Sequence, residues 1–324
     1  MRAPTTRRGL VFAVALTAAF ALSMNVAASD TLTVESFTNA TVTDPAVWVA
    51  GGSGGNFTGW PGEACLTAGT DTSQSPIAGC DLGTPDAAGS GALRLTPATT
   101  GRAGFTLHNS ALTTAGGLDI TFQQAQWGGS GADGISFFLV DGATNLTQPG
   151  ASGGALGYAS GNGVTPGVAN GLIGVGIDTW GNFSATGSSG TGCSDAGPGQ
   201  TPNRVVVRGP GNGTVGYCFL GTSGDVGDLD GASRAAATKT VRVVFDPDTV
   251  ADRKVTVFLD GVQVVQVPAP AELIAATSFK FGFSAATGDV TNNNEVWNLT
   301  IESVNPVNPP APPAPVPVSP NFTG

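Results

Sequence analysis

The 324-residue chain is poor in the side chains that most catalysis and metal binding use. It has one histidine, His108, and five glutamates: Glu35, Glu63, Glu272, Glu295 and Glu302. A Ser-His-Asp site would have to use His108, in "FTLHNS", and no Gly-x-Ser-x-Gly elbow leads into a helix; His108 therefore reads as a strand-end residue. Charged side chains make up only 11% of the chain, and basic ones are outnumbered 13 to 23, a net charge of −10. Such a balance repels phosphate backbones and excludes nucleic acid as a natural partner. Past the first 30 residues no apolar run approaches the roughly 20 residues that a membrane-spanning helix needs. The four cysteines have no C-x-x-C spacing and no histidine nearby, which excludes a zinc site.

What is present begins with "MRAPTTRRGLVFAVALTAAFALSMNVAASD". Three arginines precede a short apolar run, and small residues follow at Val26-Ala27-Ala28, the pattern of a secretory signal peptide over residues 1–28. The expected location is secreted, either extracellular or associated with a cell surface. Removing Arg2, Arg7 and Arg8 moves the net charge to about −13. In an exported chain the cysteines should be oxidised. Of three possible pairings, the local one is expected, Cys65 with Cys80 and Cys193 with Cys218. In the chain-entropy picture each bridge contributes on the order of 3 kcal/mol.

From Thr31 to Val304, β-branched and alternating runs such as "TLTVESF", "GLDITFQQAQW", "GISFFLV", "RVVVRG", "KTVRVVFD" and "SFKFGFSA" are separated by Gly, Asn, Asp and Pro turns. That spacing predicts an all-β sandwich. In "KVTVFLDGVQVVQV" the pair Asp260-Gly261 suits a type I′ hairpin turn, whose two central residues both need positive φ. The one helix candidate is "PAELIAA", Pro270 to Ala276. After Ser303-Val304 the composition changes, and eight of the residues 305–324 are proline. The expected organisation is a signal peptide (1–28), one β-sandwich domain (29–304) and an extended Pro-rich tail (305–324).

Four segments, in order, resemble the legume-type (L-type) lectins and their bacterial relatives in the concanavalin A-like lectin/glucanase superfamily. "ADGISFFL" resembles the strand that opens on the sugar-gripping Asp, and "GGALGY" (153–158) the following Gly-Gly loop. "VGIDTWGNF" (175–183) resembles the metal-loop motif, and "FGFSAATG" (281–288) the late strand and its binding loop. The resemblance covers most of the predicted domain. It implies a jelly-roll sandwich of two antiparallel sheets, and a cis bond ahead of the sugar-binding Asp, here Ala132–Asp133.

The chemistry such a site needs is present. Sugar hydroxyls both donate and accept; a carboxylate accepts two of them with charge assistance. An Asn amide donates to the same hydroxyls, and a glycine loop brings a backbone N–H close because no Cβ intervenes. Asp133, Asn182 and the Gly153-Gly154 backbone supply this set. Trp180 and Phe183 are candidates for an aromatic floor, with Trp127 and Trp297 as others.

The metal loop departs from the family pattern. Asp178, Asn182 and the Trp180 carbonyl fall on calcium-ligand positions, with Asp195 the candidate fourth ligand. The Glu that would hold a transition metal is replaced by Gly176, and its histidine has no counterpart, so no manganese-type site is expected. Two readings stay open for the rest: a lone calcium, or a loop held in shape by Asp178 and Asn182 through hydrogen bonds alone.

The fold also hosts β-glucan hydrolases, which need a pair of carboxylates flanking the scissile bond. No glutamate here lies in an acid-x-acid strand pattern, and Asp246 and Asp248 flank a turn at Pro247. "GDVGDLDG" (224–231) lacks EF-hand spacing and reads as a polar turn. The expected function is non-enzymatic binding of a glycan or polysaccharide. The alternative is a structural or adhesive surface module that keeps the fold without binding sugar.

Overall fold

The computed structural model describes residues 29–51, 64–195, 197–246 and 253–307. The expected signal peptide, Asp248 and residues 308–324 of the expected tail lie outside the described residues. The described chain is nearly all β, in two mainly antiparallel sheets. The first runs Val262–Pro268, Lys254–Leu259, Lys239–Asp246, Leu118–Trp127, Asn293–Glu302, Leu93–Thr96, and then two short strands at Cys65–Leu66 and Ala78–Gly79. In the second, Gly171–Asp178, Gly134–Asp141, Ser278–Ala286, Ala103–Thr113 and Trp48–Gly51 lie side by side, with Arg204–Arg208 also paired to Gly171–Asp178.

The core between the sheets is built on phenylalanine. Phe122 comes from the first sheet, Phe137, Phe281 and Phe283 from the second, all at most 1% exposed. The Phe122 and Phe283 rings meet edge-on at 5.0 Å, and Phe137 lies 5.2 Å from Phe283. Alternation along Gly134–Asp141 sends Ile135, Phe137 and Leu139 into this core, and their register partners Ile177, Val175 and Ile173 go with them. The intervening residues are not solvated. Phe138 and Val140 point to the other face, where they join Leu156, Tyr158, Phe183, Val206 and Tyr217 in a second buried cluster. The unbroken apolar run "GISFFLV" is thereby explained, since a strand buried on both faces has no need to alternate.

The covering of this second face is made by loops rather than by a third sheet. Residues 142–170 and 179–195 fold back over it, and glycines on the strand beneath make room. A Cβ at Gly174 would lie 2.2 Å from the Tyr158 ring, and one at Gly176 would lie 2.4 Å from the Phe183 ring.

The predicted local features are present. Asp260 and Gly261 have φ of 50° and 79° in the hairpin between Lys254–Leu259 and Val262–Pro268. Cys65 is bonded to Cys80, and Cys193 to Cys218. The predicted helix is one turn and a half, Ala271–Ala275. A second short helix, Arg234–Ala237, was not anticipated; the Ser233 hydroxyl accepts the Ala236 N–H at its start. Arg234 reaches from it to the buried Glu295, which also holds Arg94 and the Trp127 indole N–H. The first residues of the predicted tail are docked: Asn305 N–H donates to Gly116 O and Val307 N–H to Asp30 Oδ2, both at 2.8 Å. Among the described residues no helix is long and apolar enough to cross a membrane.

Because Phe283 touches rings from both sheets, Phe283→Ala should cost about 3–5 kcal/mol of unfolding free energy in urea titration. Val262→Ala, at a position 65% exposed, should stay within about 0.5 kcal/mol. Equal costs at the two positions would contradict this placement of the core.

Candidate functional site

Four loops gather at one end of the second sheet. The first precedes Gly134–Asp141 and contains the cis bond Ala132–Asp133 that the resemblance implied. The second, Gly153–Ala155, is a single 3-10 turn. The third runs from Asp178 through the 3-10 turns at Asn182–Ser184 and Thr186–Ser188. The fourth, 287–291, follows the strand Ser278–Ala286. Backbone bonds lace them together: Asp133 N–H donates to Ala286 O, and Trp180 N–H donates to Asp133 O, both at 2.9 Å.

Asp133 is 7% exposed, and among the described residues no side chain or backbone donor bonds its carboxylate. Gly288 approaches it closely enough that a Cβ there would sit 3.9 Å from Oδ1. Burial pushes the carboxyl up to about 6. Gly154 packs directly on Asn182: a Cβ at Gly154 would lie 2.5 Å from the Asn182 Cβ. Ser188 Oγ lies 3.0 Å from the Gly154 carbonyl and 2.9 Å from that of Asn182, in reach of donating to either. Trp180 is the exposed aromatic beside them, at 36%.

The structure thus brings together Asp133, Gly154, Asn182 and Trp180. It sets the other floor candidates aside. Phe183 is fully buried over Gly176, Trp127 is tied into the Glu295 ion network, and Trp297 packs against the inter-sheet core.

Three of the four expected calcium donors are engaged inside the protein. Asp178, 1% exposed, accepts the Gly181 N–H on one oxygen and the Phe183 N–H on the other, each at 2.7 Å. Burial nonetheless pushes its carboxyl up to about 7, because it outweighs those two donors. The Trp180 carbonyl accepts from Gln200 Nε2 at 3.0 Å. Asp195 is exposed, and its Oδ1 accepts the Gly197 N–H at 2.8 Å. Among the described residues no three His, Cys, Asp or Glu side chains are grouped to hold a metal ion. Asp178 thus holds its own loop through backbone hydrogen bonds, and Asn182 takes part through its carbonyl, which is within reach of the Ala185 N–H and Ser188 Oγ.

No protein-family model matches the chain, and no curated protein matches it. Solved structures do resemble it. One is the Emp46p carbohydrate recognition domain, at 12% identity and TM-score 0.49, covering 82% of this chain and 94% of that one. Another is the Emp47p carbohydrate recognition domain, at 14% identity and TM-score 0.49, covering 84% and 97%. A third is the VIP36 exoplasmic/lumenal domain bound to Ca2+ and Man3GlcNAc, at 15% identity and TM-score 0.48, covering 80% and 86%. These structural neighbours are L-type lectin domains, the group that the sequence motifs resemble. Similarity at this level says nothing of what this chain binds.

Sequence reading missed the residues that fix the third loop from behind. Arg208 is fully buried and donates into it. Gln126, on the first sheet, donates Nε2 to Ile177 O at 3.0 Å and accepts the Thr179 hydroxyl at 2.5 Å. A signal for Arg208 does exist. In "RVVVR", Val205 and Val207 face the inter-sheet core, so Arg208 shares the other face with Val206, and that face is apolar here.

Two predictions follow from this geometry. Gly154→Ala should displace Asn182 while leaving the fold intact, read as changed side-chain amide signals of Asn182 in NMR with an unchanged far-UV spectrum; an unmoved Asn182 amide would argue against the contact. For Asp133, the unfolded carboxyl titrates near 3.8 and the folded one near 6, so ionisation disfavours the fold as pH rises between those values. Asp133→Asn should therefore stabilise the protein at pH 7.5 by on the order of 2 kcal/mol, a gain that fades as pH falls through about 6 and is gone below about 4.

Proposed function

We propose that this chain is a secreted carbohydrate-binding protein that holds glycan non-covalently between Asp133, Gly154, Asn182 and Trp180. The observation that carries the reading is the Asp133 carboxylate, nearly buried at the loop end yet without a hydrogen bond from any described residue. Leaving a buried carboxylate without donors is costly. A pair of sugar hydroxyls would supply the missing donors with charge assistance, and Trp180 would cover the apolar face of the ring. Asp178 supports a binding role over hydrolysis, because the neighbouring acid is sealed within its loop and has no face toward a substrate. Two disulfides suit an exported protein.

A shallow site with so few polar groups would hold a monosaccharide at roughly millimolar strength, about −4 kcal/mol. Retention on a surface would then come from several sites acting together. Calcium, present in the VIP36 structure, would have Asp178, Asn182, Asp195 and the Trp180 carbonyl as its donors here, and three of them, Asp178, Asp195 and the Trp180 carbonyl, are already engaged.

The test is a glycan array and a pull-down on insoluble polysaccharide, with the wild type beside Asp133→Asn. Wild-type retention with loss in the variant is expected. Equal retention by both would remove Asp133 from the site, and no retention by either would favour the adhesive or structural module. Because the ionised carboxylate is the acceptor, affinity should fall as pH drops through about 6, to about one tenth a full unit lower.

A further inference from the structure

The loop that carries Asn182 contains a buried positive charge of its own. Arg208 ends the strand Arg204–Arg208 with its side chain fully enclosed in the second apolar cluster. No carboxylate bonds it. Nε donates to Phe183 O at 2.6 Å, Nη1 to Tyr217 O at 2.7 Å and to Ser189 Oγ at 2.8 Å, and Nη2 to Ala185 O at 2.7 Å. The guanidinium also lies 5.4 Å from the centre of the Phe183 ring. An arginine buried this deeply survives only when its fork is filled, and here carbonyls of the loop fill it.

Asp178 grips the same few residues by their N–H groups, at Gly181 and Phe183. Segment 181–185 is therefore held by its amides on one carboxylate and by its carbonyls on one cation. Gathering carbonyl oxygens around a positive centre is the work a bound divalent ion would do. Three of the four donors that a calcium would need, Asp178, the Trp180 carbonyl and Asp195, are bonded within the protein, and the Phe183 ring fills the space above Gly176. As arranged, this donor set does not fit calcium.

We propose that Arg208 is the positioning residue of the glycan site, its guanidinium holding the 181–189 loop so that Asn182 stays against Gly154 without any divalent metal. This rests on the glycan reading above. The consequence is a site indifferent to chelators.

The test uses the full chain and reads the loop separately from sugar. Amide hydrogen exchange at Gly181 and Phe183 is measured with EDTA and with added calcium chloride, beside calorimetric titration with calcium alone. Protection unchanged by either treatment, and no binding heat, are expected. Arg208→Lys keeps the charge but has no fork; it should expose both amides and lower polysaccharide retention about tenfold, the worth of one charge-assisted hydrogen bond, with no rescue by calcium. Stoichiometric calcium binding that raises protection in the wild type would overturn the proposal, whether or not the variant folds. So would full amide protection in Arg208→Lys. If the wild type retains no polysaccharide in any buffer, the glycan reading fails alone, and the amides still decide the role of Arg208.

Discussion

The organisation of this protein depends on one constraint: the sheet containing Gly134–Asp141 is apolar on both faces. One face is covered by the opposite sheet, through Phe137, Phe281 and Phe283 packed on Phe122. The other has no sheet to meet and exposes Phe138 and Val140 to whatever the connecting loops provide. Exposed strand apolar surface of this extent would be an association hazard, so residues 142–170 and 179–195 fold down. Tyr158 and Phe183 are the side chains that bring them down, and glycines at 174 and 176 let the rings reach the backbone beneath, while Tyr217 joins the same cluster from beyond Arg204–Arg208. The candidate site is formed where those covering loops meet at the sheet end.

Three buried ionisable groups then divide the work at that end. Asp178 is consumed by the loop, each oxygen taking one amide. Arg208 is consumed by the same loop, its nitrogens on Phe183, Ala185, Tyr217 and Ser189. Asp133 alone keeps its acceptors uncommitted. Removing Asp178 or Arg208 would leave opposing polar groups stranded, whereas Asp133 weakens the fold by being charged at all. A group kept at such an energetic disadvantage is a candidate for function, and the proposed glycan site is built on it.

How much of this could be read from residues alone follows from the range of the interactions involved. The Asp260-Gly261 hairpin, the two disulfides and the alternating strands rest on short stretches, and the structure contains them. The neighbourhood of the Asp133 and Asp178 loops was readable because their motifs flank adjacent strands, Gly134–Asp141 and Gly171–Asp178. The fate of Phe183 was not readable, since its neighbour is Gly176, seven residues earlier and underneath it, and nothing local distinguishes a ring facing solvent from one facing a strand. The same holds for the engagement of Asp178, Trp180 and Asp195, whose partners at Gly181, Gln200 and Gly197 are backbone amides or a remote amide side chain. The helix Arg234–Ala237 is too short to have a period, and only its Ser233 cap could have announced it.

Gln126 links the two sheets at the point where precision matters most. It sits on the inner face of the first sheet and clasps both Ile177 and Thr179 of the second, immediately before Trp180. Sheets in a sandwich can shear against one another, and such slippage would carry the Asp178 loop away from the Asp133 loop. With the amide acting as a rivet, the two loops are held in register by the fold itself. On the proposed glycan reading, the ordering entropy would be settled during folding rather than at encounter. A ligand offering only a few hydroxyls would then spend nearly all of its small interaction energy on staying.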